Sequence, residues 1–205
     1  MTTENKNLEI AMAFTEALDA KDRYTAGHSR RVMEYSLRLG LTLGFSENER
    51  ARLKTAALLH DIGKIGIPDR ILQKHERLSR EDYAIIKRHP EIGAKILKSI
   101  GSFKGLVPPI YYHHERYDGK GYPQGLKSEQ IPLAARIIAI ADSFDAMTSS
   151  RSYRNALSFD LALAELESSR ERQLDPRLTD AFIELLRVAP PDLENYIIME
   201  PEWYL

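Results

Sequence analysis

The stretch IPLAARIIAIADSFDAMTS, residues 131 to 149, constrains this chain more than any other. Read at 3.6 residues per turn it is apolar on most faces, so a helix from about Pro132 to Thr148 has to sit at the centre of the core. Yet it carries two carboxylates, Asp142 and Asp145, with no Lys or Arg beside Asp142 in sequence. An unpaired carboxylate in such a helix is costly, and a metal ion is one of few things that would offset that cost.

The rest of the chain reads as helices around that one, giving an all-α fold in one domain. Leu8, Met12, Thr15 and Leu18 form an amphipathic stripe within residues 5 to 20; spacing alone does not say whether it packs on this domain or on a second copy in a homodimer. We divide the chain into this N-terminal helix, residues 1–20, and a main domain, residues 21–205. His28, Val32, Tyr35 and Leu39 share the stripe of a second helix that ends near Gly40 or Gly44. SENE opens a third, with Ser46 and Glu49 as a capping box, and it runs to HDIGK, where Gly63 is expected to stop it. Ser79 caps a restart at LSRED, with Leu78 and Tyr83 as a hydrophobic staple. His89 precedes Pro90 and is expected outside the α region, at a junction. Pro108 and Pro109 suit the first turn of a short helix ending at the His pair, and Asp175 caps a last helix from Pro176. No strand-like alternation is present.

Composition narrows the chemistry. Lys plus Arg (29) and Asp plus Glu (30) nearly cancel, leaving a net charge of −1 and no global attraction for nucleic acid polymers or anionic membranes. With no cysteine, a metal site must be built from His and carboxylates. The N-terminus lacks the basic start and apolar run of a signal peptide, and the longest apolar stretch, Ile137 to Ala141, is far short of a membrane span. A cytoplasmic location is the expectation.

Of six histidines, five sit where a site could gather them. His28, His60, Asp61 and Asp142 are the ligand types for one N/O site; His89, His113 and His114, with Asp61 bridging, could make a second. Two such ions would share a hydroxide and clamp the attacking and leaving oxygens of an in-line phosphoryl displacement.

HDIGK (60–64), RHPEIG (88–93), HHERYDGKGYP (113–123) and IADSFDAMTSSRSYR (140–154) resemble the HD-GYP family, a branch of the HD phosphohydrolase superfamily, over about residues 22 to 185. The resemblance implies a metal-dependent phosphodiesterase that opens cyclic di-GMP to linear pGpG, in some members on to GMP. The family's ligand positions match His28, His60, Asp61, His89, His113, His114 and Asp142. Members with three metals carry a Glu where this chain has Tyr24, so two divalent ions are expected, iron or manganese first, with nickel, cobalt and zinc as the other candidates.

Lys64 resembles the family's active-site lysine and, with Asp61, is the catalytic candidate; the alternative for Lys64 is capping helix carbonyls. Arg151 and Arg154 could grip phosphate or guanine edges, with Tyr153 stacking on a base, or could complement a helix C-terminus. Asp145 is read as orienting a ligand histidine or pairing with an arginine. His75 matches no ligand position. In the loop, Gly119, Gly121 and Gly125 are expected to supply unusual backbone angles, Pro123 to stiffen the turn, and Arg116 and Asp118 to tie it down. In the family, Gly121, Tyr122 and Pro123 are also proposed as a surface for protein partners. Two other readings stand beside this one: a hydrolase of another cyclic dinucleotide or nucleotide, and a nucleotide- or partner-binding module with little catalysis.

Overall fold

The computed structural model describes residues 3–22, 27–74, 76–150 and 155–191 of the chain. Among these residues there are α-helices and short 3-10 turns and no strand, only an isolated bridge between Arg170 and Leu174. The helices are α1 (Thr3–Lys21), α2 (His28–Thr42), α3 (Glu47–Leu59), α4 (Asp69–Leu72), α5 (Arg80–Ile86), α6 (His89–Lys98), α7 (Val107–Tyr112), α8 (Leu133–Thr148), α9 (Phe159–Ser168) and α10 (Pro176–Val188).

Local chemistry accounts for the boundaries. Helix α2 closes in a Schellman motif: Gly44, at φ 74°, lets Phe45 N–H reach Gly40 C=O (3.0 Å) while Gly44 N–H reaches Leu41 C=O (3.0 Å). Ser46 and Glu49 form the expected capping box on α3. Ser79 caps α5 through Asp82 N–H, and Asp175 caps α10 through Arg177 and Leu178. The Leu78–Tyr83 staple is not a buried one, because Tyr83 is 49% exposed and its ring lies 5.2 Å from Lys87 Nζ. His89 is not outside the helix: it is the first residue of α6, with Pro90 just inside the first turn, where a missing N–H costs nothing.

Helix α8 is central, as its composition demands. Ala135, Ile137, Ile138, Ile140, Ala141 and Phe144 are buried, and Phe144 meets Tyr35 of α2 and Phe182 of α10 edge-on at 5.1 and 5.6 Å. Helix α1 turns its stripe inward: Thr15 and Leu18 are buried beside Ala11, Leu8 and Met12 pack partly buried against the core, and Thr15 Oγ1 donates to Leu58 C=O of α3 at 3.2 Å. Burying each large aliphatic side chain of this core is worth about 1.5–3 kcal/mol. The consequence for function is positional, since the ends of α3 and α7, the starts of α2 and α6 and the middle of α8 all face one cavity.

No helix among the described residues is long and apolar enough to cross a membrane.

Candidate metal centre

Each chemical group arrives on a helix end or a buried helix face. His28 opens α2, His60 and Asp61 close α3, His89 opens α6, His113 and His114 follow α7, and Asp142 lies within α8. Gly63 has a different task from stopping a helix. A Cβ there would fall 1.8 Å from His89 C=O and 2.6 Å from Gly93 N, so only glycine lets the turn after Asp61 press onto the start of α6.

The seven side chains fall into two groups whose donor atoms lie within 4.8 Å of one another: His28, His60 and Asp142, and Asp61, His89, His113 and His114. Asp61 faces both. Its Oδ2 stands 3.8 Å from His28 Nε2 and 3.5 Å from His60 Nε2; its Oδ1 stands 3.2 Å from His89 Nε2 and 4.0 Å from His113 Nε2. Asp142 Oδ1 closes the first group, 3.3 Å from His28 Nε2.

The outward nitrogens fix the inward ones. His60, His89 and His113 each direct Nδ1 at the carbonyl three residues earlier, Ala57, Ile86 and Ile110, at 2.7, 2.8 and 2.7 Å. A carbonyl only accepts, so Nδ1 carries the proton and Nε2 presents a lone pair to the cavity. His28 Nδ1 is held by Asp145 Oδ2 at 2.7 Å, and Asp145 in turn accepts from Arg31 Nε and Nη2 at 2.5 and 3.1 Å. Asp145 therefore orients a histidine and pairs with an arginine at once.

This donor set calls for a cation. His60 Nε2 is buried without a hydrogen-bond partner. His89 and His113 Nε2 approach to 3.3 Å with both lone pairs facing inward, an arrangement that a positive ion between them relieves. Burial favours a neutral Asp61, yet Lys64, His60 and His89 hold it well below the usual carboxylate range. Burial likewise opposes charge on Asp142, and His28 outweighs it. Burial also lowers His28, but Asp142 and Asp145 raise it to about 9, the mark of excess negative charge around that ring. His114 is pushed down to about 3 by burial and by His89. His60, His113 and His114 are thereby held neutral beside ionised carboxylates, the forms that bind divalent metals, and an ion at the first group would take the place of the His28 proton.

Lys64 Nζ lies 2.7 Å from Asp61 Oδ2 and 3.8 Å from the buried Asp22, and it lines a cavity of about 660 Å³ over the cluster. The glycine-rich loop forms one wall. Arg116 and Asp118 pair at 2.8 Å, as expected. Gly119 and Gly125 adopt φ of 78° and 70°; Gly121 does not, and is required instead because a Cβ would meet Arg116 N at 2.3 Å. Tyr122 stacks on His114, centroids 4.8 Å apart, and the Tyr122–Pro123 peptide is cis. The main anchor of the loop is a residue the sequence reading passes over: Glu115, buried, accepts from Gln124 and Gly125 N–H at 2.7 and 3.1 Å and from Leu126 N–H at 3.1 Å. A carboxylate directly before a glycine-rich loop is the signal that marks it. Arg31 and Asp22 also escape that reading. Tyr24, His75, Arg151, Tyr153 and Arg154 lie outside the described residues.

Comparison with known proteins followed the same line. The HD domain family matches residues 13–178. A cyclic di-GMP phosphodiesterase of Thermotoga maritima is 44% identical over 167 residues, 80% of this chain and 45% of the relative. A 3′3′-cGAMP-specific phosphodiesterase 3 of Vibrio cholerae is 39% identical over 183 residues, 89% of this chain and 40% of the relative. The chain thus spans less than half the length of these curated relatives. Among solved structures, Bd1817, an HDG"Y"P protein from Bdellovibrio bacteriovorus, shares the fold with a TM-score of 0.66 at 21% identity, over 90% of this chain and 69% of that one.

Proposed function

This chain belongs to the HD domain family, in its HD-GYP branch, and from that premise we propose that it hydrolyses cyclic di-GMP to pGpG at a binuclear metal centre. The observation that carries the reading is the placement of Asp61, one oxygen toward each histidine group. His28, His60 and Asp142 would hold one divalent ion, His89, His113 and His114 the other, and Asp61 both. Such ions supply Lewis acidity toward a phosphoryl oxygen and lower the pKa of a nucleophilic water. Iron or manganese suits this His and carboxylate set, and Tyr24 in place of a further carboxylate supports two ions rather than three.

The chain's own groups do the rest. In hydrolysis the P–O bond to the leaving ribose oxygen breaks as water oxygen bonds to phosphorus, and negative charge grows on the phosphoryl and leaving oxygens. Partial burial disfavours charge on Lys64, but Asp61 and Asp22 outweigh it and raise its pKa. A lysine so held stabilises that charge, and the proton released by the attacking water ends, directly or through solvent, on the leaving ribose oxygen. Tyr122 stacks on the His114 ring and the loop forms one side of the cavity. Arg151 and Arg154 are assigned to the substrate's phosphate or guanine edges. Pro123 is exposed beside Tyr122 and is the part of the segment we assign to protein partners.

Turnover of cyclic di-GMP by metal-replete protein, and its loss in Asp61→Ala, is the expected result; metal-loaded protein that binds the nucleotide without cleaving it would leave only a binding module. A second reading keeps the chemistry and exchanges one guanine for adenine, supported by the 39% identity to a 3′3′-cGAMP-specific enzyme. Rates across cyclic di-GMP, 3′3′-cGAMP and cyclic di-AMP separate the two.

A further inference from the structure

A cyclic dinucleotide carries two phosphodiesters and two bases, and on the proposed reading a metal-loaded cluster would engage one phosphodiester. The other half has to lie at the mouth of the cavity, and the cations there differ in how they are committed. Among the described residues lining the cavity, Lys64 is tied to Asp61 and Asp22 and Arg116 to Asp118, while neither the exposed Lys120 nor Lys87 forms an ion pair with a carboxylate, and of these two only Lys87 is set against aromatic rings. Its Nζ sits between two rings, 5.2 Å from the centroid of Tyr83 and 5.7 Å from that of Tyr122. All three residues line the cavity.

Their backbone places them with reference to the metal site. Lys87 caps α5, and its N–H bonds Tyr83 C=O at 3.0 Å, which puts both side chains on one helix face. The carbonyl just before it, Ile86, is the one that holds His89 Nδ1. Tyr122 stacks on His114. Each side of the mouth is thus one contact away from an imidazole of the cluster. Tyr83, at 49% exposed, is a large aromatic surface left open at the entrance.

We propose that Tyr83, Lys87 and Tyr122 form a clasp that grips the half of the cyclic dinucleotide outside the metal cluster, Lys87 pairing with its second phosphodiester and Tyr83 stacking on a purine. The assignment rests on the phosphodiesterase reading for its ligand class. It makes Tyr83 and Lys87 binding residues that a search for metal ligands passes over. An ammonium held between aromatic faces keeps its charge and loses little freedom when it meets a phosphate. A tyrosine face accepts any base, so the stacking adds affinity without choosing between guanine and adenine.

The test uses metal-replete full chain and the bis-phosphorothioate analogue of cyclic di-GMP, with Kd read by calorimetry. Tyr83→Ala and Lys87→Ala are each expected to weaken binding about tenfold, while Tyr83→Phe and Lys87→Arg, which keep the ring and the charge, stay within about threefold of wild type. Lys87→Ala should also flatten the dependence of Kd on salt. Metal content and melting temperature of each variant report whether the fold and cluster survive. Affinity that moves by less than about twofold in both alanine variants, with metal content intact, overturns the clasp. Cleavage of cyclic di-GMP by wild type is read separately: weakened variants beside a wild type that cleaves nothing support the clasp and remove the hydrolase reading. Unmoved affinities beside an active wild type remove the clasp alone, and a wild type that binds no analogue removes it too.

Discussion

His28 Nδ1 stands 2.7 Å from Asp145 Oδ2, and Arg31 grips the same carboxylate from the far side. The ring is therefore aimed by a residue that does not face the cavity. Asp145→Asn keeps the shape but weakens the acceptor for His28 and the partner for Arg31. Metal affinity is expected to fall about 10- to 100-fold, measured by competition with a chelator. Affinity equal to wild type would show that the ring needs no such support.

Asp61 and Asp142 should differ in what their loss removes. Asp142 belongs to one histidine group and Asp61 faces both. Elemental analysis should find about one ion per chain in Asp142→Ala and fewer in Asp61→Ala, against about two in wild type. Equal losses in the two variants would argue against a shared carboxylate.

Two glycines offer a matched pair. A methyl at Gly63 would collide with the His89 carbonyl at 1.8 Å, whereas one at Gly105 meets nothing within 4 Å. Gly63→Ala should cost about 2–4 kcal/mol in urea unfolding and lower metal content, and Gly105→Ala should stay within about 0.5 kcal/mol of wild type.

Glu115→Ala removes the acceptor for three loop N–H groups. The expected cost is about 1–3 kcal/mol, with hydrogen-exchange protection lost at Gln124, Gly125 and Leu126 first. Protection unchanged at those amides would mean the loop holds itself.

The metal-free protein should be acid-sensitive. Burial holds His60, His113 and His114 below the usual imidazole range, His114 at about 3. Such groups stabilise the fold above their unfolded value of about 6.5, because below it only the unfolded chain takes up the proton. That contribution is lost as pH falls from about 6.5 toward the folded values. For His28 burial acts the same way, but Asp142 and Asp145 reverse it to about 9; its contribution is full below about 6.5 and lost as pH rises through about 9. Because the His28 contribution is constant below about 6.5, the other three imidazoles set the slope there: urea midpoints of chelated protein should drop between pH 6.5 and 5, and a flat profile would contradict the burial argument.

The helices, and the seven side chains brought together at helix ends and in the middle of α8, are legible in the sequence because both are written in local signals. Ser46, Ser79 and Asp175 cap helices through their own neighbours, the histidines and Asp61 stand near Gly or Pro punctuation, and Asp142 is a carboxylate within an apolar helix. What stays hidden depends on close approaches that no local signal announces. Gly63 and Gly121 look like angle-supplying glycines, yet each is required by a second strand of backbone, at His89 and at Glu115–Arg116. Arg31 reads as one more charge on an amphipathic helix until Asp145, 114 residues later, is placed against it. Lys87 likewise reads as a solvated lysine until Tyr122 arrives from the loop.

Three imidazoles lean on carbonyls of the turn before them, at Ala57, Ile86 and Ile110. Their aim is inherited from the main chain, which every residue type provides alike. Drift in the surrounding side chains can therefore proceed without unsettling which nitrogen looks inward, and only an alteration that bends those three helix termini would turn the rings away.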